Sequence, residues 1–322
     1  MSGATPVLAD WHAEIEAAAE RAEAGAPGFV RQTPLWKLHA SALGLSGDYE
    51  LWLKLEHLQT SGSFKARGML NRLLANPIPA SGVIVASGGN AGIATAAAAR
   101  ALGVPCEVFV PSISPEAKQA RLRALGAQVV VGGAAYADAL AACLARQAES
   151  GALLTHAYDQ PEVVAGAGTL GREIEAQGGL PDSVLVSVGG GGLIGGLAAW
   201  FERRARVVAL EPELAPSLFA ARAAGEPVDV AVSGVAADSL GAKRIGALAW
   251  SITQAHVGDA LLLSDEVIRS AQRWLWSELR LVVEAAAALP LAALQSGAYV
   301  PRQGERVCLI VCGANTDPAA LA

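Results

Sequence analysis

Short runs of β-branched and other apolar residues alternate with alanine-rich stretches along most of this 322-residue chain. The apolar runs are typical of buried strands, and the alanine-rich stretches, several of which begin on Ser or Asn, are typical of helices. Strands that are apolar throughout and separated by helices indicate a parallel sheet covered on both faces, and hence a doubly wound α/β architecture. The predicted strands are residues 50–56, 82–87, 106–111, 127–133, 153–158, 183–190, 206–213, 260–264 and 306–315, and the predicted helices include 90–103, 114–126 and 264–280.

Three glycine-containing segments each lie at the end of a predicted strand. They are SGGNAG (87–92), GGGGLIGG (189–196) and CGAN (312–315). In open α/β sheets, ligands bind at the carboxyl ends of the strands, where loops meet helix N-termini. We therefore expect these three segments to line a ligand-binding site.

The composition limits the classes of function. Hydrophobic residues make up 52% of the chain and charged residues only 17%, so a large buried core is expected and disorder is not. A net charge of −6, with no basic stripe and no apolar run long enough for a membrane span, argues against nucleic-acid and membrane partners. The cysteines lack metal-ligand spacing, which indicates reduced thiols, and the acidic residues 1–25 do not resemble a targeting signal. We expect a soluble cytoplasmic protein.

The glycine run Gly189–Gly192 allows more than one interpretation. Residues without side chains between a strand and a helix let backbone N–H groups approach an anion, which favours a phosphate site over a tight turn without a ligand. Gly190, Gly192 and Gly195 also satisfy G-x-G-x-x-G. Glu211 ends the next predicted strand near the spacing of a ribose-binding acid. A nicotinamide-dependent oxidoreductase is therefore one alternative, although it leaves the SGGNAG and CGAN segments without a role.

A lone lysine, Lys65, lies among small polar residues just before a predicted helix, in the segment HLQTSGSFKARGML (57–70). One interpretation is a surface lysine in the first turn of that helix. The other is an amine held in a cleft for covalent chemistry, with the glycine and serines leaving room for a ligand. The segment alone does not decide between the two.

Taken together and in order, several segments resemble the fold-type II, pyridoxal-phosphate-dependent serine/threonine dehydratases, a group that includes serine racemase. The matching segments are TPLWKL (33–38), LWLKLEHLQTSGSFKARG (51–68), ASGGNAGIATAAAARALGVPCEVFVP (86–111), THAYDQPEVVAGAGTLGREI (155–174), SVGGGGLIGG (187–196), ALEPE (209–213) and VCLIVCGAN (307–315). The resemblance implies two α/β domains with parallel sheets, similar to those of tryptophan synthase β, with the cofactor cleft between them. The large, cofactor-binding domain would comprise residues 1–51 and 152–322, and the small domain residues 52–151.

The resemblance also implies roles for individual residues. Lys65 would form an imine with the aldehyde of pyridoxal 5'-phosphate and then act as the base at the substrate Cα. Asn90 would donate its side-chain amide to the phenolic oxygen of the ring, and Cys312 would face the pyridine nitrogen. The other implied contacts are Phe64 with the cofactor, the backbone N–H groups of Gly189, Gly190, Gly191, Gly192 and Leu193 with its phosphate, and Ser61, Gly62, Asn90 and Ala91 with the substrate carboxylate.

The implied reaction is a β-elimination. A thiol, with an ordinary pKa of about 8.5, cannot hold the pyridine nitrogen protonated as a carboxylate would, and an uncharged ring favours prompt loss of the β-hydroxyl. The protein would be an ammonia-lyase that converts L-serine, L-threonine or a related β-hydroxy amino acid, its small-molecule partner, to a 2-oxo acid and ammonia. A racemase on the same scaffold and a non-catalytic cofactor-binding protein are the alternatives.

Three positions bear on these alternatives and on further ligands. In the racemase, a serine directly before the Gly-Asn pair acts as the second acid; here that position is Gly88, so we expect little racemisation. Some relatives bind a cation at the positions of Glu211, Ala215 and Ser217, which adds Mg or K to the candidate cofactors. Ala285 stands where the family usually has a proline. The resemblance also implies a homodimer.

Overall fold

The structure, a computed structural model, describes residues 10–321. Residues 1–9 and Ala322, which belong to the predicted large domain, lie outside this range, as does the start of the N-terminal segment predicted to carry no targeting signal. Within the described range, no helix combines the length and the apolar composition that crossing a membrane requires.

Two sheets organise the chain. The strands are β1 (Leu35–His39), β2 (Glu50–Lys54), β3 (Val83–Ala86), β4 (Cys106–Val110), β5 (Gln128–Val131), β6 (Leu153–Thr155), β7 (Ser183–Ser187), β8 (Arg206–Pro212), β9 (Val257–Leu263) and β10 (Arg306–Ile310). The six-stranded sheet has the order β1-β2-β10-β7-β8-β9, and the four-stranded sheet has the order β5-β4-β3-β6. All neighbouring strands are parallel except β1 and β2. The predicted fold class, two α/β units built on parallel strands, is confirmed.

Helices cover the sheets and follow the strands in sequence. They are α1 (Trp11–Gly25), α2 (Lys65–Leu74), α3 (Asn90–Leu102), α4 (Glu116–Ala124), α5 (Tyr136–Ser150), α6 (Pro161–Gly178), α7 (Gly192–Phe201), α8 (Ser217–Ala224), α9 (Ala247–His256), α10 (Asp265–Leu279) and α11 (Ala285–Gln295). The helices predicted over 90–103, 114–126 and 264–280 are confirmed as α3, α4 and α10.

The strand β1 is not among the predicted ones, because its residues are exposed or only half-buried and no apolar run marks it. It is held by an antiparallel ladder with β2 at the edge of the larger sheet. Sheet membership also places β2 with the larger unit and β6 with the smaller one. If the two domains were divided by sheet membership, the boundaries would fall a few residues after the predicted ones at 51 and 151. The predicted domain boundaries themselves stay a prediction.

A buried group of charged residues joins the helix that carries Lys65 to the larger sheet. Glu56 follows β2, Arg67 lies in the first turn of α2, and both side chains are almost fully buried. The Arg67 guanidinium donates to Glu56 from Nε (2.8 Å) and Nη2 (2.7 Å), and Nη2 also donates to Glu173 on α6 (2.8 Å). Burial alone would raise the pKa of the Glu56 carboxyl, but the Arg67 guanidinium outweighs it and lowers that pKa. The charged pair fixes the start of α2 against the sheet.

Candidate active site

Segments that follow β2, β7 and β10 of the larger sheet meet the segment that follows β3 of the smaller sheet in one cleft. Within each sheet, the carboxyl ends of parallel strands lie at the same edge, where ligands bind. The cleft is lined by Phe64, Lys65, Asn90, Ser187, Gly189, Gly190, Gly191, Gly192, Leu193, Ser239, Leu240, Glu284, Ala286 and Cys312. The structure therefore brings together all the residues that the sequence assigns to the cofactor. Their individual roles remain predictions.

The glycine loop between β7 and α7 leaves its backbone open to the cleft. A Cβ on Gly190 would lie 2.2 Å from Cδ1 of Tyr158, and Gly191 has a φ of +89°, so neither position tolerates a side chain. Among the described residues, no acceptor takes a hydrogen bond from the backbone N–H groups of residues 189–194. Free N–H groups at the positive end of a helix dipole suit a phosphate group.

Lys65 is the first residue of α2, and its amine lies inside the cleft. Nζ donates a hydrogen bond to the carbonyl oxygen of Ala157 at 2.5 Å. Burial lowers the pKa of Lys65 to about 8, against the opposing influence of Cys312 and Glu284. An appreciable fraction of the amine is therefore neutral near pH 8, which is the form that attacks a carbonyl or removes a proton. This environment favours the interpretation of Lys65 as a reactive amine.

The thiol of Cys312, directly after β10, is 5% exposed. Burial and the nearby Glu284 carboxylate raise its pKa, so the thiol stays neutral at physiological pH. A neutral thiol carries no charge that would hold an adjacent ring nitrogen protonated. This is the property required by its predicted place beside the pyridine ring.

The side chain of Asn90 does not cap α3; Gly89 occupies the N-cap position, and Asn90 is the first helical residue. Its Nδ2 donates to both carboxylate oxygens of Glu284 at 2.9 Å, and its Oδ1 accepts from Nδ2 of Asn315. Glu284 is 5% exposed, and burial raises its pKa. Glu284 and Asn315 have no role in the sequence-based prediction, because they lie 194 and 225 residues from Asn90 and no local pattern reveals the contacts.

The loop before Lys65 pairs with the residues that follow β10. Phe64 N donates to Cys312 O at 3.0 Å and Ala314 N donates to Gly62 O at 2.9 Å. Of the residues predicted to bind the substrate carboxylate, Asn90 lines the cleft, Ser61 and Gly62 lie in this loop, and Ala91 is buried in the first turn of α3. The pairing anchors the loop beside the cleft.

Glu211, the candidate for ribose or cation binding, caps α8. Its fully buried carboxylate accepts from the backbone N–H groups of Leu218 and Phe219, both at 2.7 Å, and from Ser217 Oγ at 3.2 Å. Burial raises the pKa of Glu211 to about 7. In the part of the chain that the structure describes, no group of three or more His, Cys, Asp or Glu side chains is arranged to hold a metal. The Glu211 carboxylate therefore acts as a cap of α8, and the cation at Glu211, Ala215 and Ser217 stays a prediction.

The cleft fits pyridoxal phosphate. It offers an amine of lowered pKa for the aldehyde, free backbone donors for the phosphate, and an uncharged thiol and a side-chain amide for the ring. The glycine loop packs so closely that a Cβ on Gly190 would collide with the Tyr158 ring and one on Gly191 with Ala249.

We expect Gly190→Val to weaken binding of pyridoxal phosphate about 100-fold or more, because the new side chain must displace the Tyr158 ring and close the loop. Titration of the cofactor-free protein, followed by visible absorption, measures this affinity. Gly258→Val is the matched control, since a Cβ on Gly258 has no neighbour within 4 Å. Equal affinities in the two variants would contradict the phosphate role of the loop.

Comparison with known proteins agrees with this geometry. A family model described as pyridoxal-phosphate dependent enzyme matches residues 27–313. An L-threonine ammonia-lyase from Geobacter sulfurreducens is 37% identical over 297 residues, which cover 89% of this chain and 72% of the relative. A solved threonine deaminase from T.th. has a TM-score of 0.86 at 36% identity and covers 95% of this chain and 98% of its own. The structure of maize serine racemase has a TM-score of 0.88 at 27% identity, and the match covers 96% of this chain and 94% of the racemase chain.

Proposed function

The chain belongs to the pyridoxal-phosphate dependent enzymes and is a dehydratase of that family, and we propose that it removes water from L-serine, L-threonine or a closely related β-hydroxy amino acid. The products are a 2-oxo acid and ammonia. The observation that carries this proposal is the buried Lys65 amine, placed in one cleft with the free N–H groups of the glycine loop and the neutral thiol of Cys312.

When bound, pyridoxal phosphate supplies an electron sink for the negative charge that develops at the substrate Cα. The glycine loop would hold the phosphate through backbone N–H groups, and the Lys65 amine would hold the aldehyde. The Lys65 amine would also take the proton from the substrate Cα, a role for which its lowered pKa is suited because the neutral form is populated near pH 8. The neutral Cys312 thiol would leave the ring nitrogen uncharged, which would limit the electron sink and favour loss of the β-hydroxyl over long-lived charge on Cα.

The position of Gly88 supports elimination over racemisation. Racemisation needs a second acid on the face of Cα opposite Lys65, and glycine has no proton to give. A Cβ on Gly88 would lie 3.3 Å from both Ser114 Oγ and Val110 Cγ1, so the structure leaves little room for a serine there. The neighbouring Ser87 hydroxyl accepts a hydrogen bond from Gly89 N at 3.3 Å, within the same turn.

We expect the purified enzyme, incubated with a panel of L- and D-β-hydroxy amino acids, to release 2-oxo acid from L-serine or L-threonine and to use D-serine poorly. The assay follows 2-oxo acid and the chirality of the remaining amino acid in the same reaction. D-serine formed at a rate comparable with pyruvate would contradict the dehydratase proposal and support the racemase. A protein that binds pyridoxal phosphate but turns over no member of the panel would support the non-catalytic alternative.

A homodimer and a cytoplasmic location are further proposals, supported by the family resemblance and by the composition. Sedimentation of the purified holoenzyme tests the first and fractionation of the source cells tests the second. The cation at Glu211, Ala215 and Ser217 stays a prediction; both Glu211 oxygens already accept hydrogen bonds from α8.

A further inference from the structure

Asn315 connects three parts of the site that are distant in sequence. Its Nδ2 donates to the carbonyl oxygen of Ser61 at 2.9 Å and to Oδ1 of Asn90, and its backbone N–H donates to Glu284 at 2.8 Å. The loop before Lys65, the first turn of α3 and the residue before α11 are therefore tied to one side chain and its own backbone. A side-chain amide with two partners and a backbone N–H with a third, all in one partly buried place, are a strong geometric constraint.

The bond to Ser61 holds a conformation that serine rarely adopts. Ser61 has a φ of +67°, in the left-handed region that residues with a side chain rarely adopt. Its carbonyl oxygen accepts from Asn315, while its hydroxyl is buried and has no partner among the described residues. A buried hydroxyl without a partner is costly unless a ligand supplies one. The loop is thus held in a state that a bound polar group would complete.

The bond to Asn90 fixes the orientation of that side chain. With its oxygen occupied by Asn315, Asn90 presents its amino group towards Glu284 and the cleft. Together with the Glu284 carboxylate, which accepts from the amino group, this bond opposes a rotation that would present the oxygen, and an oxygen there would repel a carboxylate or a phenolate. Asn315 therefore determines the donor pattern on both sides of the place predicted for the substrate carboxylate.

Gly62 gives independent support for the tight fit of this side chain. A Cβ on Gly62 would lie 2.5 Å from Oδ1 of Asn315, and Gly62 itself has a φ of +78°. Any larger residue at this position must displace Asn315. The loop glycine and the amide are thus matched in shape.

We infer that Asn315 is a positioning residue that sets the affinity for the α-carboxylate of the substrate, through Ser61 and Asn90 and without touching the reacting atoms. The inference rests on the proposed function for the identity of the ligand, an α-amino acid. It assigns to Asn315 a contribution to substrate binding and not to the proton transfer at Lys65.

The test compares the wild type with Asn315→Ala, Asn315→Asp and the control Thr316→Ala. We expect Asn315→Ala to raise KM for the best amino acid of the panel about 10-fold, with kcat changed less than about threefold and the visible absorption of the bound cofactor retained. Asn315→Asp has nearly the same shape but no amino group to donate, so it should raise KM at least as much. Thr316→Ala should leave KM within about twofold of the wild-type value. Thr316 does not line the cleft; it lines a separate recess together with Arg269, Gln272 and Arg273.

An Asn315→Asp enzyme with the wild-type KM would overturn the inference, since only the shape would then matter. So would a loss of kcat with KM unchanged in Asn315→Ala. If the wild type releases no 2-oxo acid, the proposed function fails on its own. The dissociation constant of the amino acid, read from the change in visible absorption, then replaces KM in the same comparison. An amino acid that binds wild type and both Asn315 variants equally, or not at all, would overturn the inference.

Discussion

Lys65→Ala is expected to lose the visible absorption band of the lysine-bound cofactor and at least about a thousandfold of turnover. The substitution removes both the covalent attachment and the base, and no other lysine lines the cleft among the described residues. Absorption spectra and steady-state release of 2-oxo acid measure the two losses.

Lys243→Ala is the control for this experiment, because Lys243 is exposed and does not line the cleft. It should keep the band and the rate of the wild type. A Lys65→Ala protein that still turns over serine or threonine would show that the base lies elsewhere. A colourless wild type that retains a nicotinamide cofactor would contradict the whole proposal.

Arg67→Ala is expected to lower the free energy of unfolding by about 3–5 kcal/mol. The substitution leaves the fully buried Glu56 carboxylate without the guanidinium that compensates its charge, and breaking a buried ion pair from one side has a cost of this size. Denaturant titration of the holoenzyme, followed by circular dichroism, gives the difference from wild type.

The control is Arg172→Ala, which removes a solvent-exposed ion pair in place of the buried one. Arg172 donates to Glu16 at 2.6 Å, but both side chains are 44% exposed, and such pairs contribute about 0–1 kcal/mol. If both arginine substitutions lowered the free energy of unfolding by the same small amount, the buried ion pair would contribute no more than the exposed one to holding α2 against the sheet.

The sequence predicts the sheet strands well where both faces are buried, because an apolar run records that burial directly. It does not predict β1, whose exposed residues are held by the antiparallel edge pairing alone. Lys65 and the glycine loop could be identified as candidates because an isolated amine and bare backbone are local features, and the family resemblance then implied their roles. Tyr158 and Glu284 could not, since Tyr158 matters only through its packing on Gly190, and Glu284 only through its bonds to Asn90.

The central place of β10 in the larger sheet affects how the enzyme matures during synthesis. β10 pairs with β2 on one side and β7 on the other, and both of those strands leave the ribosome long before it. Until residues 306–310 emerge, β2 and β7 present open edges that are prone to wrong pairing. The backbone N–H of Phe64 and the carbonyl oxygen of Gly62 also lack their hydrogen-bond partners until Cys312 and Ala314 have been synthesised. We therefore expect only chains whose synthesis has passed the CGAN segment to bind the cofactor, and a product that ends before this segment to contain Lys65 yet have no activity.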